Sequence, residues 1–202
     1  NKIYYMEFKN GKSVAPLKVI GKTKDTGTKI NFLPSKEIFA ITKFNSTIIQ
    51  KRMRELAFLN KGIKITILDN SQSKPKEFIN KYDGGINEFV EFLDQKKNKL
   101  LNKSDNDLFK KPVSIIGEKN KIIVECSIKW NAGYSEDVMA FTNNIFQKDG
   151  GTHLLGFRSA LTRVINKYAS ENNLLKKSKV TLTGDDAREG LTSVLSIKMP
   201  DP

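Results

Sequence analysis

The 202-residue sequence contains few of the side chains that form disulfides and metal sites, with one cysteine, Cys126, and one histidine, His153. A single cysteine excludes an internal disulfide. Zinc sites gather several cysteine or histidine ligands, so a structural zinc site is excluded as well. Cys126 alternates with apolar residues in "IIVECSIKW", which favours a small buried hydrophobe over a reactive thiol. A nucleophilic pair formed by Cys126 and His153 has no supporting motif.

Long apolar runs are also missing. No stretch approaches the roughly 18 apolar residues that a membrane-spanning helix needs, and no secretory leader is visible. The sequence begins at Asn1 rather than at methionine and stops on "MPDP". We therefore expect a piece of a longer protein, long enough for one large domain or two small ones.

Acidic residues are too few to balance the basic ones, and the formal net charge is +13. A strong positive charge is typical of nucleic-acid binding. The excess is uneven, since residues 1–84 hold 17 Lys+Arg and 7 Asp+Glu, whereas residues 85–202 hold 18 and 15. Lysine, asparagine and isoleucine are all abundant, which codon bias alone can produce. A solvated lysine-rich surface and a nucleic-acid contact therefore both stay open.

The first third of the chain predicts strands and one helix. Asn10-Gly11 between two strand-like runs is a strong hairpin signal. The periodicity predicts a further strand at "GTKINFLP", a helix at "NSTIIQKRMRELAFLNKG" and a strand at "IKITILD". The polar stretch Asp69–Gly85 contains a proline and paired glycines. It predicts a linker, with a domain boundary near Gly85.

The remainder of the chain predicts a second α+β unit. The pattern predicts a helix at "INEFVEFLDQKK" and then a polar loop. Alternating apolar residues in "KIIVECSIKW" predict a strand, and we expect "EDVMAFTNN" to return beside it as a hairpin. The longest helix follows Gly150-Gly151, with Thr152 as its expected cap, and "LTSVLSIKM" predicts a closing strand. The glycine pair favours a tight turn over a phosphate loop, because no G-K-[ST] follows.

Two features of this unit are candidates for chemistry. Arg158 lies at the border of the apolar face predicted for the long helix, so its guanidinium could reach a phosphate or simply lie in solvent. The stretch "TGDDAREGL" could be a metal-binding acid pair or a helix start. Adjacent aspartates on a helix point about 100° apart, which favours a helix start capped by Thr183. The residues on the apolar face of the long helix are Leu154, Phe157, Leu161, Val164, Ile165 and Tyr168.

Several strings together resemble the B subunits of bacterial DNA gyrases over nearly the whole chain. The loops Ser71–Lys81 and Gln95–Lys119 match least. The patterns "TNNIxQxDGGTH" and "GDDxREGL" separate the gyrase subunits from the B subunits of topoisomerase IV. The strings are "TGTKINFLPSKEIF", "RMRELAFLNKGIKITILD", "FTNNIFQKDGGTHLLGFRSALTR" and "SKVTLTGDDAREGLTSVLSIKMPDP".

The resemblance implies an α+β fold in two parts. Residues 1–84 would be the C-terminal part of a GHKL-type ATPase α/β sandwich. Residues 85–202 would be most of a transducer domain, which has a left-handed βαβ crossover. In the family, ATP binding dimerises two B subunits and traps one DNA duplex. The transducer relays the nucleotide state to the DNA gate, where the A subunit cleaves and rejoins DNA. The implied protein is cytoplasmic and uses ATP and Mg²⁺, with DNA, the gyrase A subunit and a second B subunit as partners.

Few functional residues carry over by resemblance. Thr28 matches a threonine of the adenine and aminocoumarin pocket, and Arg158 matches an arginine that lines the DNA cavity. The general-base glutamate and the magnesium-binding asparagine would lie upstream of Asn1, and the γ-phosphate lysine would lie beyond Pro202. We therefore expect no catalytic or metal-binding residue in this chain, and no ATP hydrolysis by it alone. The alternatives are a topoisomerase IV B subunit and a non-enzymatic, basic nucleic-acid-binding module.

Overall fold

The computed structural model describes residues 1–174 and 181–201. These residues form two compact units, Asn1–Asn45 and Ser46–Pro202. No helix within the described ranges is long and apolar enough to cross a bilayer.

The first unit contains two small antiparallel sheets and confirms the predicted hairpin. Asn10 and Gly11 both have positive φ angles, 50° and 77°, as a two-residue hairpin turn requires. Four strands make the two pairs: β1 (Lys2–Tyr5) with β4 (Lys18–Lys22), and β2 (Phe8–Lys9) with β3 (Lys12–Ser13).

The strand predicted at "GTKINFLP", residues 27–34, is wrong. The structure gives this segment no regular secondary structure, and its large side chains Ile30, Phe32 and Leu33 are exposed. A strand needs the hydrogen bonds of a neighbouring strand, and no described strand of this unit pairs with the segment. The apolar pattern identified the hydrophobic side chains but not a backbone partner.

The second unit combines four helices with a five-stranded sheet and a separate hairpin, counting only the described residues. The sheet order is β10-β9-β11-β8-β7, and β11 is antiparallel to β8 but parallel to β9. The elements in chain order are α1 (Ser46–Leu59), β5 (Lys64–Asp69), β6 (Lys76–Lys81), α2 (Ile86–Asp94), β7 (Val113–Lys119), β8 (Ile122–Trp130), β9 (Asp137–Thr142), β10 (Ile145–Phe146), α3 (Thr152–Glu171), α4 (Gly184–Arg188) and β11 (Leu191–Lys198).

The sheet is covered on both faces. Helices α1 and α2 pack on one face, and α3 packs on the other. All residues of β11 except Lys198 are buried, as expected for a central strand with both faces covered. The first cluster contains Phe58, Leu59, Ile86, Phe89, Val90, Phe141 and Val194. The second contains Cys126, Ile128, Leu191, Leu195 and Ile197, with Phe157 and Leu161 packed against it.

The predicted hairpin between β8 and β9 is wrong, because β11 lies between these strands. The hairpin partner of β8 is β7, which the sequence did not suggest. All seven residues of β7 are exposed, so the strand lacks the alternation that marks a half-buried strand. The parallel pairing of β9 with β11 joins segments that α3 separates along the chain, and local patterns do not report such a pairing.

A second missed strand is β6, which lies in the predicted polar linker Asp69–Gly85. It pairs antiparallel with β5 in full register, from Lys64 opposite Lys81 to Asp69 opposite Lys76. Its sequence, KEFINK, is mostly exposed and rich in charge, so it resembled a loop. The predicted helices at α1, α2 and α3 and the strands at β5, β8 and β11 are confirmed.

The face that α3 presents to the sheet differs in part from the predicted one. Phe157 and Leu161 pack on the second cluster, but Val164 and Tyr168 are exposed and Ala169 is buried in their place. The stripe therefore follows four-residue spacing from Phe157 through Leu161 to Ala169, one of the ridges along which helices pack. The predicted Thr152 cap is also wrong, since the N-cap is Gly151 and no side chain caps this end.

Cys126 is buried, as the sequence predicted. Its sulfur lies 3.7 Å from the hydroxyl of Ser193 on β11. Burial raises the pKa of the thiol to about 11, which keeps the group neutral at physiological pH. The interpretation of Cys126 as a small core residue is therefore confirmed.

A buried ion pair ties α2 to the sheet. Lys129 Nζ lies 3.2 Å from Asp94 Oδ2, and the two side chains are 10% and 4% exposed. Asn131 Nδ2 and the Thr192 hydroxyl donate to Asp94 Oδ1 at 3.0 and 3.1 Å. Both oxygens of the carboxylate are thus satisfied, which a buried charge requires.

We predict that Asp94→Asn destabilises the protein by about 3–5 kcal/mol, because Lys129 then keeps a buried charge without its partner. Asp83→Asn is the matched control, since its ion pair with Lys81 is exposed and such pairs contribute about 1 kcal/mol or less. Urea unfolding of both variants gives the two free energies. Equal, small losses would contradict the assignment of Asp94 as a buried structural anion.

Candidate functional site

Two arginines from different helices converge on one carboxylate in the second unit. Arg158 of α3 donates from Nε to Glu136 Oε1 at 2.8 Å. Arg188 of α4 donates from Nε to Glu136 Oε2 at 3.1 Å. The three side chains are 39%, 15% and 21% exposed for Arg158, Arg188 and Glu136 respectively. The result is a half-buried cluster, and an anion could bind the guanidinium of Arg158 on the side that faces away from Glu136.

The free donors of Arg158 give the cluster its binding capacity. Its guanidinium uses only Nε to bond Glu136, and neither terminal nitrogen has a partner among the residues that the structure describes. A guanidinium offers five N–H donors in a planar fork that matches carboxylate and phosphate groups. Arg158 is therefore oriented by the protein and still able to bind a ligand.

The stretch "TGDDAREGL" supplies the second arm of the cluster. Thr183 caps α4, and Thr183 and Asp186 form a reciprocal capping box. Arg188 Nη2 donates to Asp185 Oδ1 at 2.9 Å. The predicted helix start is confirmed, and the two aspartates have different roles, one capping the helix and the other holding Arg188.

Helix α4 is also fixed to the sheet. The indole Nε1 of Trp130 donates to the carbonyl of Ala187 at 3.1 Å. Gly190 then turns the chain into β11 with a φ of +69°. A Cβ at this position would lie 2.2 Å from the carbonyl oxygen of Asn131, so the turn requires glycine for both space and conformation.

The capping box changes the pKa of Asp186. The Thr183 side chain and then its backbone N–H bond the Asp186 carboxylate, which lowers the pKa of Asp186. A lowered pKa means that the charged form stabilises the folded helix start. This stabilisation is present above the ordinary pKa of an aspartate and is lost as the pH falls through the lowered value.

We predict that Asp186→Asn lowers the melting temperature at neutral pH, because the capping carboxylate is removed. The difference from the unsubstituted protein should shrink as the pH falls below the ordinary aspartate range, where Asp186 itself becomes protonated. Thermal unfolding at a series of pH values measures this. A melting-temperature difference that is independent of pH would contradict the role of the ionised carboxylate.

Thr28 belongs to the first unit and is exposed, on a segment without helix or strand. Arg158 belongs to the second unit. The structure thus places both candidate residues at accessible positions. The structure also shows two residues that act with Arg158: Glu136, which accepts its hydrogen bond, and Arg188, which bonds the same carboxylate.

The described residues form no side-chain cluster that would hold magnesium by itself. Magnesium prefers several oxygen ligands at close range, and nowhere in residues 1–174 and 181–201 do three or more His, Cys, Asp or Glu side chains group to hold a metal. Asp185 and Asp186 are engaged with Arg188 and Thr183 instead.

Sequence reasoning did not single out Glu136. It lies between a turn and β9, and its partners are 22 and 52 residues away along the chain. No periodicity or motif marks such a position. Only the sheet order, which brings the start of β9 close to α3 and α4, makes its role visible.

Solved structures identify the class of fold. The structure superposes on the 43K ATPase domain of Thermus thermophilus gyrase B, solved in complex with an aminocoumarin, with a TM-score of 0.83 and 34% identity. The match covers 100% of this chain and 53% of that one. The ATP-binding domain of Francisella tularensis topoisomerase IV shares the fold, with a TM-score of 0.71 and 19% identity. The α+β fold is therefore that of type II topoisomerase ATPase domains.

Sequence comparison identifies the particular family. The sequence model of the DNA gyrase B family matches residues 85–202. The DNA gyrase B subunit of Streptococcus pyogenes serotype M3 is 47% identical over 99% of this chain, and that of Bacillus mycoides is 45% identical over 100%. The chain belongs to the DNA gyrase B family. It spans 30% of the S. pyogenes protein and 48% of the B. mycoides sequence.

Proposed function

We propose that this chain is part of the B subunit of a bacterial DNA gyrase, which couples ATP binding and hydrolysis to DNA strand passage and negative supercoiling. The observation that carries the proposal is its 47% identity, over 99% of its length, to the DNA gyrase B subunit of S. pyogenes. Residues 1–84 act as the C-terminal part of the GHKL-type ATPase domain. Residues 85–202 act as the transducer domain, which relays the nucleotide state.

The fold of the second unit suits a relay. Strand β9 connects through α3 and α4 to the parallel strand β11, which makes a βαβ connection. We propose that this connection is the left-handed crossover of the transducer. Since β11 is paired on both sides, a displacement of α3 would be transmitted to the whole sheet.

Arg158 is proposed to contact DNA in the cavity between two B subunits. Its terminal nitrogens, which bond to no residue within the described ranges, and the net charge of +13 support an anionic partner. Thr28 is proposed to line the adenine and aminocoumarin pocket, which agrees with 34% identity to the aminocoumarin-bound T. thermophilus domain. ATP, Mg²⁺, the gyrase A subunit and a second B subunit are the other proposed partners of the whole cytoplasmic protein.

A plasmid assay tests the proposal. The complete B subunit, mixed with its A subunit and relaxed circular DNA, should introduce negative supercoils only when ATP and Mg²⁺ are supplied. Relaxation or decatenation without supercoiling would instead identify a topoisomerase IV subunit. DNA binding without any ATP-dependent change of topology would identify a basic binding module, and either outcome overturns the proposal.

We predict that Arg158→Ala weakens binding of the nucleotide-bound complete B subunit to a linear DNA duplex about tenfold, the effect of losing one charge-assisted hydrogen-bonded contact. Arg163→Ala is the matched control, because this exposed arginine lies on another side of the same helix and contacts no carboxylate among the described residues. Fluorescence anisotropy measures both affinities. Equal losses in the two variants would show that only net charge matters.

A further inference from the structure

The cluster at Glu136 contains as many negative as positive charges. Arg158 and Arg188 face Glu136, and Asp185 adds a second carboxylate beyond Arg188. A site that served only to attract DNA would not surround its arginines with carboxylates, since these reduce the local positive potential. The carboxylates therefore need another explanation.

We propose that Glu136 is a positioning residue that aims the guanidinium of Arg158 at a DNA phosphate. The inference rests on the proposed function, since it specifies how Arg158 makes its contact. Glu136 Oε1 accepts one side-on hydrogen bond from Arg158 Nε at 2.8 Å. The two terminal nitrogens have no partner in the described part of the chain, and together they form the end of the fork that bonds a phosphate through two parallel hydrogen bonds.

The second oxygen of Glu136 is held as firmly as the first. Arg188 Nε donates to Oε2 at 3.1 Å, and Arg188 is only 15% exposed. Asp185 holds the far side of the Arg188 guanidinium at 2.9 Å. A carboxylate restrained at both oxygens restrains Arg158 in turn. Without it, the long side chain of Arg158 would sample many rotamers and lose that freedom on binding DNA.

Positioning and simple charge neutralisation predict opposite changes in DNA affinity when Glu136 is removed. Removing Glu136 makes the protein more positive, and simple electrostatics then predicts tighter DNA binding with a steeper dependence on salt. Positioning predicts weaker binding, because Arg158 is no longer directed at the phosphate. The slope of log affinity against log salt concentration should then fall by about one, as it would if Arg158 itself were removed.

The test uses the nucleotide-bound complete B subunit and a linear DNA duplex over a series of salt concentrations. We expect Glu136→Ala to weaken binding about three- to tenfold and to lower the slope of log affinity against log salt by about one. Glu136→Ala combined with Arg158→Ala should bind no more weakly than Arg158→Ala alone. Glu136→Met keeps the side-chain length without an acceptor, and it gives the same readout if the alanine variant fails to fold.

Two further variants separate positioning from charge. Glu136→Gln loses the charge and keeps one oxygen that can accept from Arg158 Nε, but its amide N–H group then faces the Arg188 donor. Positioning therefore predicts a loss of affinity smaller than that of Glu136→Ala, whereas charge alone predicts tighter binding. Glu118→Gln makes the same charge change at an exposed side chain of β7, outside the cluster, and it should not weaken binding.

The outcomes keep the two hypotheses apart. Tighter or unchanged binding by Glu136→Ala and Glu136→Met, with no loss of slope, overturns the positioning role while leaving the Arg158 contact intact. No effect of Arg158→Ala in the same assay overturns the proposed DNA contact itself.

Discussion

Strand β11 exchanges backbone hydrogen bonds with β8 on one side and with β9 on the other, and only its last residue, Lys198, reaches solvent. Helices α1 and α2 cover one face of the sheet around it, and α3 covers the other. Because the strand is enclosed in every direction, its position fixes both hydrophobic clusters of the second unit. Thr192 on this strand also joins the polar network of Asp94, so β11 supports the buried ion pair as well.

The same strand determines where the arginine cluster lies. Gly190 brings the chain so close to the carbonyl of Asn131 that no side chain fits, and α4 must end directly before it. Trp130, opposite Leu191 across the β8–β11 ladder, holds α4 from the other side. Arg188 is thereby placed beside Glu136, which lies at the start of the parallel neighbour β9. The cluster thus forms from three segments that only the sheet brings together.

Much of this unit could be predicted from local sequence, and the remainder could not for a physical reason. The apolar stripe of "INEFVEFLDQKK" predicts α2, and Thr183 as an N-cap predicts the helix start, because these signals lie within one or two turns. Strands β6 and β7 carry exposed, charged or unpatterned side chains, so nothing local identifies them. The insertion of β11 between β8 and β9, and the contact of Arg158 with Glu136, depend on non-local pairing.

Amide hydrogen exchange resolved by residue tests the central place of β11 most directly. The amides of β11 that bond to β8 and β9 should exchange most slowly in the chain, at the rate set by global unfolding. The outward-facing amides of β7, an exposed edge strand, should exchange much faster. Exchange of β11 as fast as that of β7 would show that the strand opens locally, and would contradict the claim that the second unit and its arginine cluster are organised around it.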